Sequence, residues 1–510
     1  MTDANLYAIL AAGFPAARAA CAIEAIDADG RSHYYTWDDL DAATAKLANL
    51  LASLRLRAGA RIAAQVDKSP EALLLYLACL RAGYVYLPLN VAYQAAEIDY
   101  FVENAEPEVL VTAPAAAGWA GEIAARRGVR HHYTLAVDRS GSLLSAAAGQ
   151  PATFATVRRG AGDLAAILYT SGTTGRSKGA MLTHGNLGSN ARTLDLYWRW
   201  RRSDVLLHAL PIFHVHGLFV AMHGALLAGA KTIWLDRFDP ARVIANLPRA
   251  TVFMGVPTMY VRLLDQPAFD RAACAGMRLF VSGSAPLLAD TFRQFEARTG
   301  QRILERYGMS ETTMLTSNPY DGNRVAGTVG LPLPGVGVRI AGDDGAPIAA
   351  DAVGVIGGIE VRGPNVFAGY WRMPEKTREE FTGDGWFKTG DVGQWDANGY
   401  LAIVGRSKDL IISGGYNVYP KEIESYLDGL PGVLESAVVG VPDRDFGEAV
   451  AAAVVPMPGA ELEPAALIAA LKGRIAGFKV PKQVHLLQEL PRNQMGKVQK
   501  ALLRERFSRR

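Results

Sequence analysis

A cluster of glycine, hydroxyl and lysine side chains follows an apolar segment and forms the strongest chemical signal in the sequence. Residues 164–169 form an apolar run, and every residue from Thr170 to Gly179 is glycine, hydroxyl-bearing or cationic. Glycines let backbone N–H groups approach a phosphate, hydroxyls add donors, and a lysine adds positive charge. The segment does not match the Walker A pattern GxxxxGK[ST]. We predict a phosphate-binding loop of another type, with a flexible surface loop as the alternative. Its predicted ligand-binding residues are Thr170, Ser171, Gly172, Thr173, Thr174 and Lys178.

Three histidines form a second group of residues that could do chemistry. His208, His214 and His216 lie in or near a segment that is typical of a strand. A His-x-His alternation on a strand places two imidazoles on one face, so a zinc site has to be considered. Because no carboxylate or cysteine lies nearby in the sequence, we favour the interpretation that these histidines line a pocket.

Alternating strand and helix patterns position these groups. The order of strand, helix and strand predicts parallel βαβ units and an α/β fold, and the same rhythm recurs from 205 to 281. The predicted strands and helices of the first part are strand 60–66, helix 71–82, strand 84–88, helix 97–105 and strand 109–112.

The pattern changes near residue 400. Pro420 begins a helix, where its missing N–H is not needed. Strands at 434–441 and 449–456, a helix at 464–476, a strand at 483–487 and a basic amphipathic tail follow. We predict a large domain of packed α/β subdomains over 1–404, a hinge at 405–409 and a small mobile α+β domain over 410–510.

Composition and charge exclude several classes of protein. The 510 residues include 53 basic and 50 acidic side chains, a net charge of +3 that gives no reason to expect nucleic-acid binding. The three cysteines form no CxxC pair, so neither a disulfide framework nor a cysteine zinc site is expected. The first residues lack the basic start of a secretory signal. The longest apolar run, 217–230, is too short to cross a bilayer. We therefore expect a cytoplasmic protein without a membrane partner.

Several motifs, taken in order, resemble those of the adenylate-forming superfamily of acyl-CoA synthetases, luciferases and peptide-synthetase adenylation domains. The segment TSGTTGRSKG resembles the phosphate loop of that superfamily. Further matching motifs are Ser282-Gly-Ser-Ala-Pro286, Tyr307-Gly-Met-Ser-Glu311, Thr389-Gly-Asp391, Gly405-Arg-Ser-Lys-Asp409, Gly414-Gly-Tyr-Asn-Val-Tyr-Pro420 and Pro491-Arg-Asn-Gln-Met-Gly-Lys497. The resemblance implies a ligase that converts a carboxylate and ATP to an acyl-adenylate and pyrophosphate, after which the thiol of coenzyme A displaces AMP.

The same resemblance assigns roles to individual residues. It implies that Lys497 and the phosphate loop stabilise charge on the phosphates, and that Glu311 and Thr174 hold Mg²⁺. Tyr307 would stack on adenine, while Asp391 and Arg406 bind the ribose. His214 would lie beside the adenylate, Lys408 would serve as the hinge, and Gly414 and Gly415 would admit the pantetheine arm. The remaining predicted nucleotide contacts are Ser284, Ala285, Glu305 and Ser310, where the family usually has threonine in place of Ser310.

Some of these residues also have a purely structural interpretation. Asp391 could be an Asx-turn residue, Lys497 a solvated surface charge, and Glu311 an acid that complements a helix dipole. Their joint order, rather than any one residue, favours the adenylate-forming interpretation.

The acid substrate depends on a closer resemblance. Residues 211–219, 277–288 and 305–320 resemble bacterial malonyl-CoA synthetases. The second carboxylate of malonate needs a cation, because burying it unpaired is costly. We predict that Arg278 binds this carboxylate as a bidentate fork; an ordinary ion pair is the alternative. The other predicted substrate-binding residues are Ser282, Val215, His216 and Met309.

Other functions remain open on the sequence alone. Methylmalonate could replace malonate, the acid could be apolar or aromatic, or the chain could load a carrier protein instead of coenzyme A. The segment Pro491-x-x-x-x-Gly-Lys497 resembles the context in which lysine acetyltransferases act on relatives, which predicts an acetyltransferase and a deacetylase as partners for Lys497.

Overall fold

The structure, a computed structural model, describes residues 3–170, 177–413, 416–443, 446–472, 474–493 and 496–508. The chain divides into two compact units. The first comprises Met1–Ala326, Gly330–Gly337 and Arg362–Gly385, and the second comprises Gly327–Val329, Val338–Val361 and Trp386–Arg510. The predicted hinge at 405–409 lies inside the second unit, and the predicted domain boundaries stay predictions.

The first unit is an α/β structure, as predicted. Its strands are β1 (Cys21–Ile26), β2 (Ser32–Thr36), β3 (Arg61–Gln65), β4 (Val85–Pro88), β5 (Val109–Thr112), β6 (His131–Thr134), β7 (Leu164–Thr170), β8 (Lys178–Thr183), β9 (Val205–His208), β10 (Lys231–Leu235), β11 (Val252–Gly255), β12 (Leu279–Ser282), β13 (Ile303–Met309), β14 (Thr313–Ser317) and β15 (Leu331–Pro332). Its helices are α1 (Leu6–Ala11), α2 (Trp37–Ser53), α3 (Pro70–Ala82), α4 (Ala95–Ala105), α5 (Ala117–Arg126), α6 (Ser142–Ala147), α7 (His184–Tyr197), α8 (His223–Ala228), α9 (Pro240–Asn246), α10 (Pro257–Leu264), α11 (Ala289–Thr299) and α12 (Pro374–Glu380).

Two sheets organise this unit. One has the strand order β6-β5-β3-β4-β7-β8 and the other β15-β14-β13-β12-β11-β9-β10-β1-β2. Strands β9, β11, β12 and β13 are parallel to their neighbours within that group, so their carboxyl ends share one edge of the sheet. Open parallel sheets bind ligands at this edge. The sheet topology therefore points to the ends of β12 and β13 as the place for a site.

Local sequence signals explain how these elements begin and end. Helix α3 starts at Pro70 after Ser69, whose side chain accepts from the Ala72 N–H, and it ends at Gly83 with φ 76°. Its side chains are buried on all faces because the helix lies inside the unit. Among the described residues, no helix is both long and apolar enough to span a bilayer.

The second unit contains two sheets whose strands are mainly antiparallel. Its strands are β16 (Gly337–Ala341), β17 (Gly357–Arg362), β18 (Phe387–Trp395), β19 (Leu401–Arg406), β20 (Ile411–Ser413), β21 (Tyr416–Val418), β22 (Val433–Asp443), β23 (Gly447–Pro456) and β24 (Gln483–Leu486), and its helices are α13 (Pro420–Asp428), α14 (Pro464–Leu471) and α15 (Lys500–Ser508). One sheet has the order β16-β17-β18-β19, and the other has β21-β20-β23-β22 with β24 beside β23. The α+β pattern predicted for the end of the chain is thus present, and α13 and α14 begin at the predicted Pro420 and Pro464.

Candidate active site

The loop that follows β12 carries predicted substrate- and nucleotide-binding residues. Ser282 ends the strand with a fully buried side chain, and its Oγ has no hydrogen-bond partner among the described residues. Ser284 adopts a left-handed backbone conformation with φ 71°, which is unfavourable for residues other than glycine. Its Oγ lies 3.3 Å from Nδ1 of His216. Ala285 follows and is partly exposed. The loop therefore presents hydroxyl groups at the carboxyl edge of the sheet.

Arg306, which the sequence reasoning missed, is the buried cation of this region. It lies on β13 with 3% of its surface exposed, and its Nε and Nη2 have no hydrogen-bond partner within the described residues. A Cβ added at Gly283 would lie 2.4 Å from its Cζ, so the guanidinium contacts the backbone of the loop after β12. Burial lowers the pKa of Arg306 to about 9. A guanidinium that is desolvated and lacks its partner is costly, which indicates a site built for an anion.

The histidine segment is not the strand that its alternation suggested. Strand β9 ends at His208, and a π-helical turn spans His216–Met222. The His216 N–H donates to Nδ1 of His214 at 3.3 Å. Burial, with the nearby positive charge of Arg306, lowers the pKa of His214 to about 4 and also lowers that of His216. Both imidazoles are therefore neutral and lie near Arg306. The side chain of Val215, between them, is buried.

Arg278 does not occupy the predicted acid-binding position. Its Nε donates to Asp204 Oδ1 at 2.6 Å, and its Nη2 donates to Oδ2 of the same carboxylate at 2.5 Å. Its Nη1 donates to the Trp198 carbonyl at 3.2 Å. The prediction that Arg278 binds the substrate carboxylate is wrong, because the fork is already used by a buried aspartate. Arg278 also precedes β12, at the opposite end of the strand from Ser282.

Strand β13 and the turn after it carry the predicted nucleotide contacts. Glu305 Oε1 accepts from the Leu287 N–H at 3.1 Å, which fixes the loop after β12 to this strand. The Tyr307 side chain is buried, whereas Met309 and Ser310 are partly exposed at the end of the strand. Their predicted contacts with adenine, acid and phosphate stay predictions.

Glu311 joins the turn after β13 to the phosphate-loop strands. Thr170 Oγ1 donates to its Oε1 at 3.5 Å, and the Tyr370 hydroxyl donates to the same oxygen at 3.0 Å. Thr170 and Lys178 are paired across β7 and β8, which flank the loop. The Lys178 ammonium lies 3.3 Å from Glu380 Oε1. The predicted residues Ser171, Gly172, Thr173 and Thr174 lie outside the described residues.

Within the second unit, the predicted ribose-binding pair is assembled. Asp391 on β18 and Arg406 on β19 are register partners, and Arg406 Nε lies 2.9 Å from Asp391 Oδ1. Lys408 is exposed in a 3₁₀ turn at Ser407–Asp409. The predicted pantetheine residues Gly414 and Gly415 lie outside the described residues.

Lys497 lies near this pair. Its side chain is exposed, but surrounding protein atoms and the positive charges of Arg406 and Lys408 lower its pKa to about 8. Asp391 and Asp409 act in the opposite direction. The Lys497 N–H donates to Asn493 Oδ1 at 3.0 Å. A lysine with a lowered pKa beside the predicted ribose-binding pair is suited to stabilising a phosphate anion.

Comparison with known proteins identifies relatives over the whole chain. The profile of the AMP-binding enzyme family matches residues 11–371, and that of the AMP-binding enzyme C-terminal domain matches residues 422–497. The ATP-bound MatB from Rhodopseudomonas palustris is 54% identical, with a TM-score of 0.95 and 99% of each chain covered. A malonate–CoA ligase from Arabidopsis thaliana is 36% identical over 98% of this chain and 89% of the relative. A feruloyl-CoA synthase from an Amycolatopsis species is 37% identical over 92% of this chain and 94% of the relative.

The fold, the site and these matches define one class of protein. The chain belongs to the AMP-binding enzyme family, as its motifs predicted. The match spans both the region of the buried Arg306 and the segment that carries Lys497.

Proposed function

We propose that the protein is an ATP-dependent acid–thiol ligase that joins malonate to coenzyme A through a malonyl-adenylate. Family membership supports the adenylation chemistry, and relatives with malonate–CoA ligase activity in their names support the acid. The observation that carries the choice of acid is the buried guanidinium of Arg306, whose Nε and Nη2 have no hydrogen-bond partner among the described residues.

A dicarboxylate explains why such a cation lies in an acyl site. One carboxylate of malonate is activated, and the other keeps its negative charge and needs a desolvated partner. Among the described residues, Nε and Nη2 of Arg306 have no acceptor, and Ser282 Oγ and His216 Nε2 are further buried polar atoms without a partner. An apolar acid would leave all of them unsatisfied.

Adenylation is an in-line displacement at the α-phosphate of ATP. One malonate carboxylate oxygen attacks phosphorus, and the bond to pyrophosphate breaks. Thr170, Lys178 and Lys497 stabilise the negative charge that develops on the phosphate oxygens. Asp391 accepts from the ribose hydroxyls while Arg406 holds its carboxylate in place.

The residues around Glu311 fit Mg²⁺. Glu311 and Thr170 bring a carboxylate and a hydroxyl oxygen within 3.5 Å of each other, and hard oxygen donors of this kind are what Mg²⁺ prefers. Glu311 would hold the ion, with Thr174 as a further proposed ligand. When bound, Mg²⁺ neutralises charge on the phosphates of ATP.

Thioester formation completes the reaction. The thiol of coenzyme A attacks the carbonyl of the malonyl-adenylate, the bond to phosphate breaks, and AMP leaves. His214 is proposed to lie beside the acyl group. Because its imidazole is neutral, it adds no positive charge next to the carbonyl of the adenylate. Gly414 and Gly415 are proposed to let the pantetheine arm approach.

A substrate panel tests this function. CoA-dependent AMP formation is measured with malonate, methylmalonate, succinate, acetate, octanoate and ferulate. We expect malonate to give the highest kcat/KM, and a preference for octanoate or ferulate would contradict the proposal. A carrier protein offered in place of coenzyme A tests the loading alternative.

Arg306→Met tests the residue that carries the proposal. Removing one partner of a desolvated ion pair costs about 3–5 kcal/mol, which is about a 10²–10³-fold or larger fall in kcat/KM for malonate. The affinity for ATP stays near the wild-type value. Arg278→Met is the matched control, because its guanidinium already pairs with Asp204. Unchanged malonate turnover in Arg306→Met would contradict the proposed role.

Control by modification is a further proposal for Lys497. Acetylation would remove the positive charge of an exposed side chain and thereby stop adenylation. An acetyltransferase and a deacetylase are the proposed partners. A cytoplasmic location stays a prediction from the sequence.

A further inference from the structure

Residues 367–371 form a segment of the first unit that lies outside the motifs named above, and this segment connects two parts of the candidate site. The N–H of Ala368 donates to the Met181 carbonyl at 2.9 Å, and the N–H of Trp371 donates to the Gly179 carbonyl at 2.8 Å, so the segment runs along β8. The N–H of Phe367 donates to the carbonyl of Glu311 at 2.7 Å. Its backbone therefore ties the strand after the phosphate loop to the turn that carries Glu311.

Tyr370, in the middle of this segment, contacts both charged groups with one side chain. Its hydroxyl donates to Glu311 Oε1 at 3.0 Å, and the Lys178 ammonium lies 4.6 Å from the centre of its ring. Only 4% of Tyr370 is exposed. Its N–H donates to Thr377 Oγ1 at 2.9 Å, and its ring packs edge-on against Phe367 with centroids 4.9 Å apart. The backbone of Tyr370 is thus held by Thr377, and its ring by Phe367.

These two contacts act on opposite charges. A hydroxyl that donates to a carboxylate oxygen limits the rotation of the carboxylate. The ring face attracts the ammonium through its quadrupole, while Glu380 holds the ammonium by an ion pair of 3.3 Å. The segment therefore orients one anionic and one cationic group of the same site.

We infer that Tyr370 is a positioning residue for magnesium–ATP, with its hydroxyl orienting Glu311 and its ring holding Lys178. The inference rests on the proposed function in that it takes Glu311 as the Mg²⁺ ligand. It does not depend on which acid the enzyme activates.

The chain contains a matched control for the same side-chain chemistry. The Tyr7 hydroxyl donates to Asp41 Oδ1 at 2.8 Å, and the guanidinium of Arg81 lies 4.8 Å from the centre of its ring. Tyr7 is also buried, and it belongs to α1. Removing the hydroxyl of Tyr7 breaks the same kind of hydrogen bond at a place with no proposed role in catalysis.

The test is calorimetric titration of ATP into wild-type, Tyr370→Phe and Tyr7→Phe proteins over a series of Mg²⁺ concentrations, without acid or coenzyme A. Mg²⁺ is expected to increase the affinity for ATP, and the quantity compared is the Mg²⁺ concentration that gives half of this increase. We expect this concentration to rise about tenfold in Tyr370→Phe, because a hydrogen bond to a charged group is lost. Without Mg²⁺, its ATP affinity stays near wild type because the ring remains. Tyr370→Leu removes the ring too, so its ATP affinity falls even without Mg²⁺.

The outcomes separate the possible failures. A Tyr370→Phe protein with the wild-type Mg²⁺ requirement, or a Tyr7→Phe protein that changes as much as Tyr370→Phe, overturns the inference. Wild-type ATP binding that ignores Mg²⁺ overturns the role of Glu311 and this inference together. Failure of the malonate proposal alone leaves the titration result standing, because no acid is present in it.

Discussion

Arg306 and Arg278 lie at two neighbouring strands, yet their surroundings give the two guanidinium groups opposite effects on stability. Arg278 neutralises Asp204, whose side chain is 2% exposed. Arg306 is buried without a hydrogen-bond partner for Nε and Nη2 among the described residues. The first arginine stabilises the fold in the absence of substrate, whereas the second destabilises it until an anion binds.

The same substitution at both positions should therefore change the free energy of unfolding in opposite directions. Arg278→Met leaves a buried carboxylate unpaired and should lower the stability by about 3 kcal/mol. Arg306→Met removes a buried unpaired cation and should raise it by about 1–2 kcal/mol. Urea unfolding of the ligand-free proteins measures both. A loss of similar size in the two variants would show that Arg306 has an unrecognised partner.

Lys497 gives the adenylation step a predicted dependence on pH. Its pKa is lowered to about 8, so the ammonium loses its proton as the pH rises through that value. Because the cation is the active form, adenylation should fall above about pH 8 and not be limited by Lys497 below it. Pyrophosphate release over about pH 6.5 to 9.5 measures this profile.

Two variants of Lys497 serve as controls for that profile. Lys497→Arg keeps its charge over the whole range, so the alkaline fall should disappear. Lys497→Ala should lower adenylation by about 10²–10³-fold, and it should still convert supplied malonyl-adenylate to malonyl-CoA. An alkaline fall that persists in Lys497→Arg would assign the titration to another group.

At the scale of elements, short-range patterns predicted the order of strands and helices between residues 60 and 112. Strand β5 spans the residues predicted for it, and helix α3 differs by one residue at its start, because a capping serine and Pro70 mark that end. The histidine segment was misread as a strand because alternation cannot show that β9 already ends at His208.

Whether an arginine is paired depends on residues distant in sequence: Asp204 lies 74 positions before Arg278. The available signal for Arg306 was its position between Glu305 and Tyr307, two predicted nucleotide-binding residues.

The loop after β12 should be intolerant of any side chain at Gly283. A Cβ there would lie 2.4 Å from Arg306 Cζ, so Gly283→Ala must displace a guanidinium that has little room to move. We expect the KM for malonate to rise about tenfold or more with ATP affinity unchanged. Gly276→Ala is the control, because its nearest atom would be an ordinary 3.5 Å away. Equal KM values in the two variants would contradict the contact.

At the scale of the whole molecule, the division of the chain was harder to predict than its elements. The change of pattern near residue 400 predicted a small α+β region from 410 onwards, and the second compact unit also includes most of β16 to β19. Strands β17 and β18 pair although residues 363–385, which belong to the first unit, lie between them in sequence. Local composition does not record such pairings, so the sequence placed these strands with the larger domain.

The hinge proposed within the second unit can be tested at Lys408. Lys497 lies near Arg406 and Asp391, an arrangement that we assign to adenylation, and thioester formation is proposed to need rotation about Lys408. Proline fixes φ near −65°, which is the value that the 3₁₀ turn at Ser407–Asp409 requires. Proline also lacks an N–H, but the N–H groups in the first turn of a helix have no acceptor within the helix, so Lys408→Pro fits this turn. Lys408→Pro should therefore keep pyrophosphate release while losing conversion of supplied malonyl-adenylate to malonyl-CoA. Lys408→Ala, which stays free to rotate, should keep both half-reactions, and an equal loss of both in Lys408→Pro would argue against a hinge at this residue.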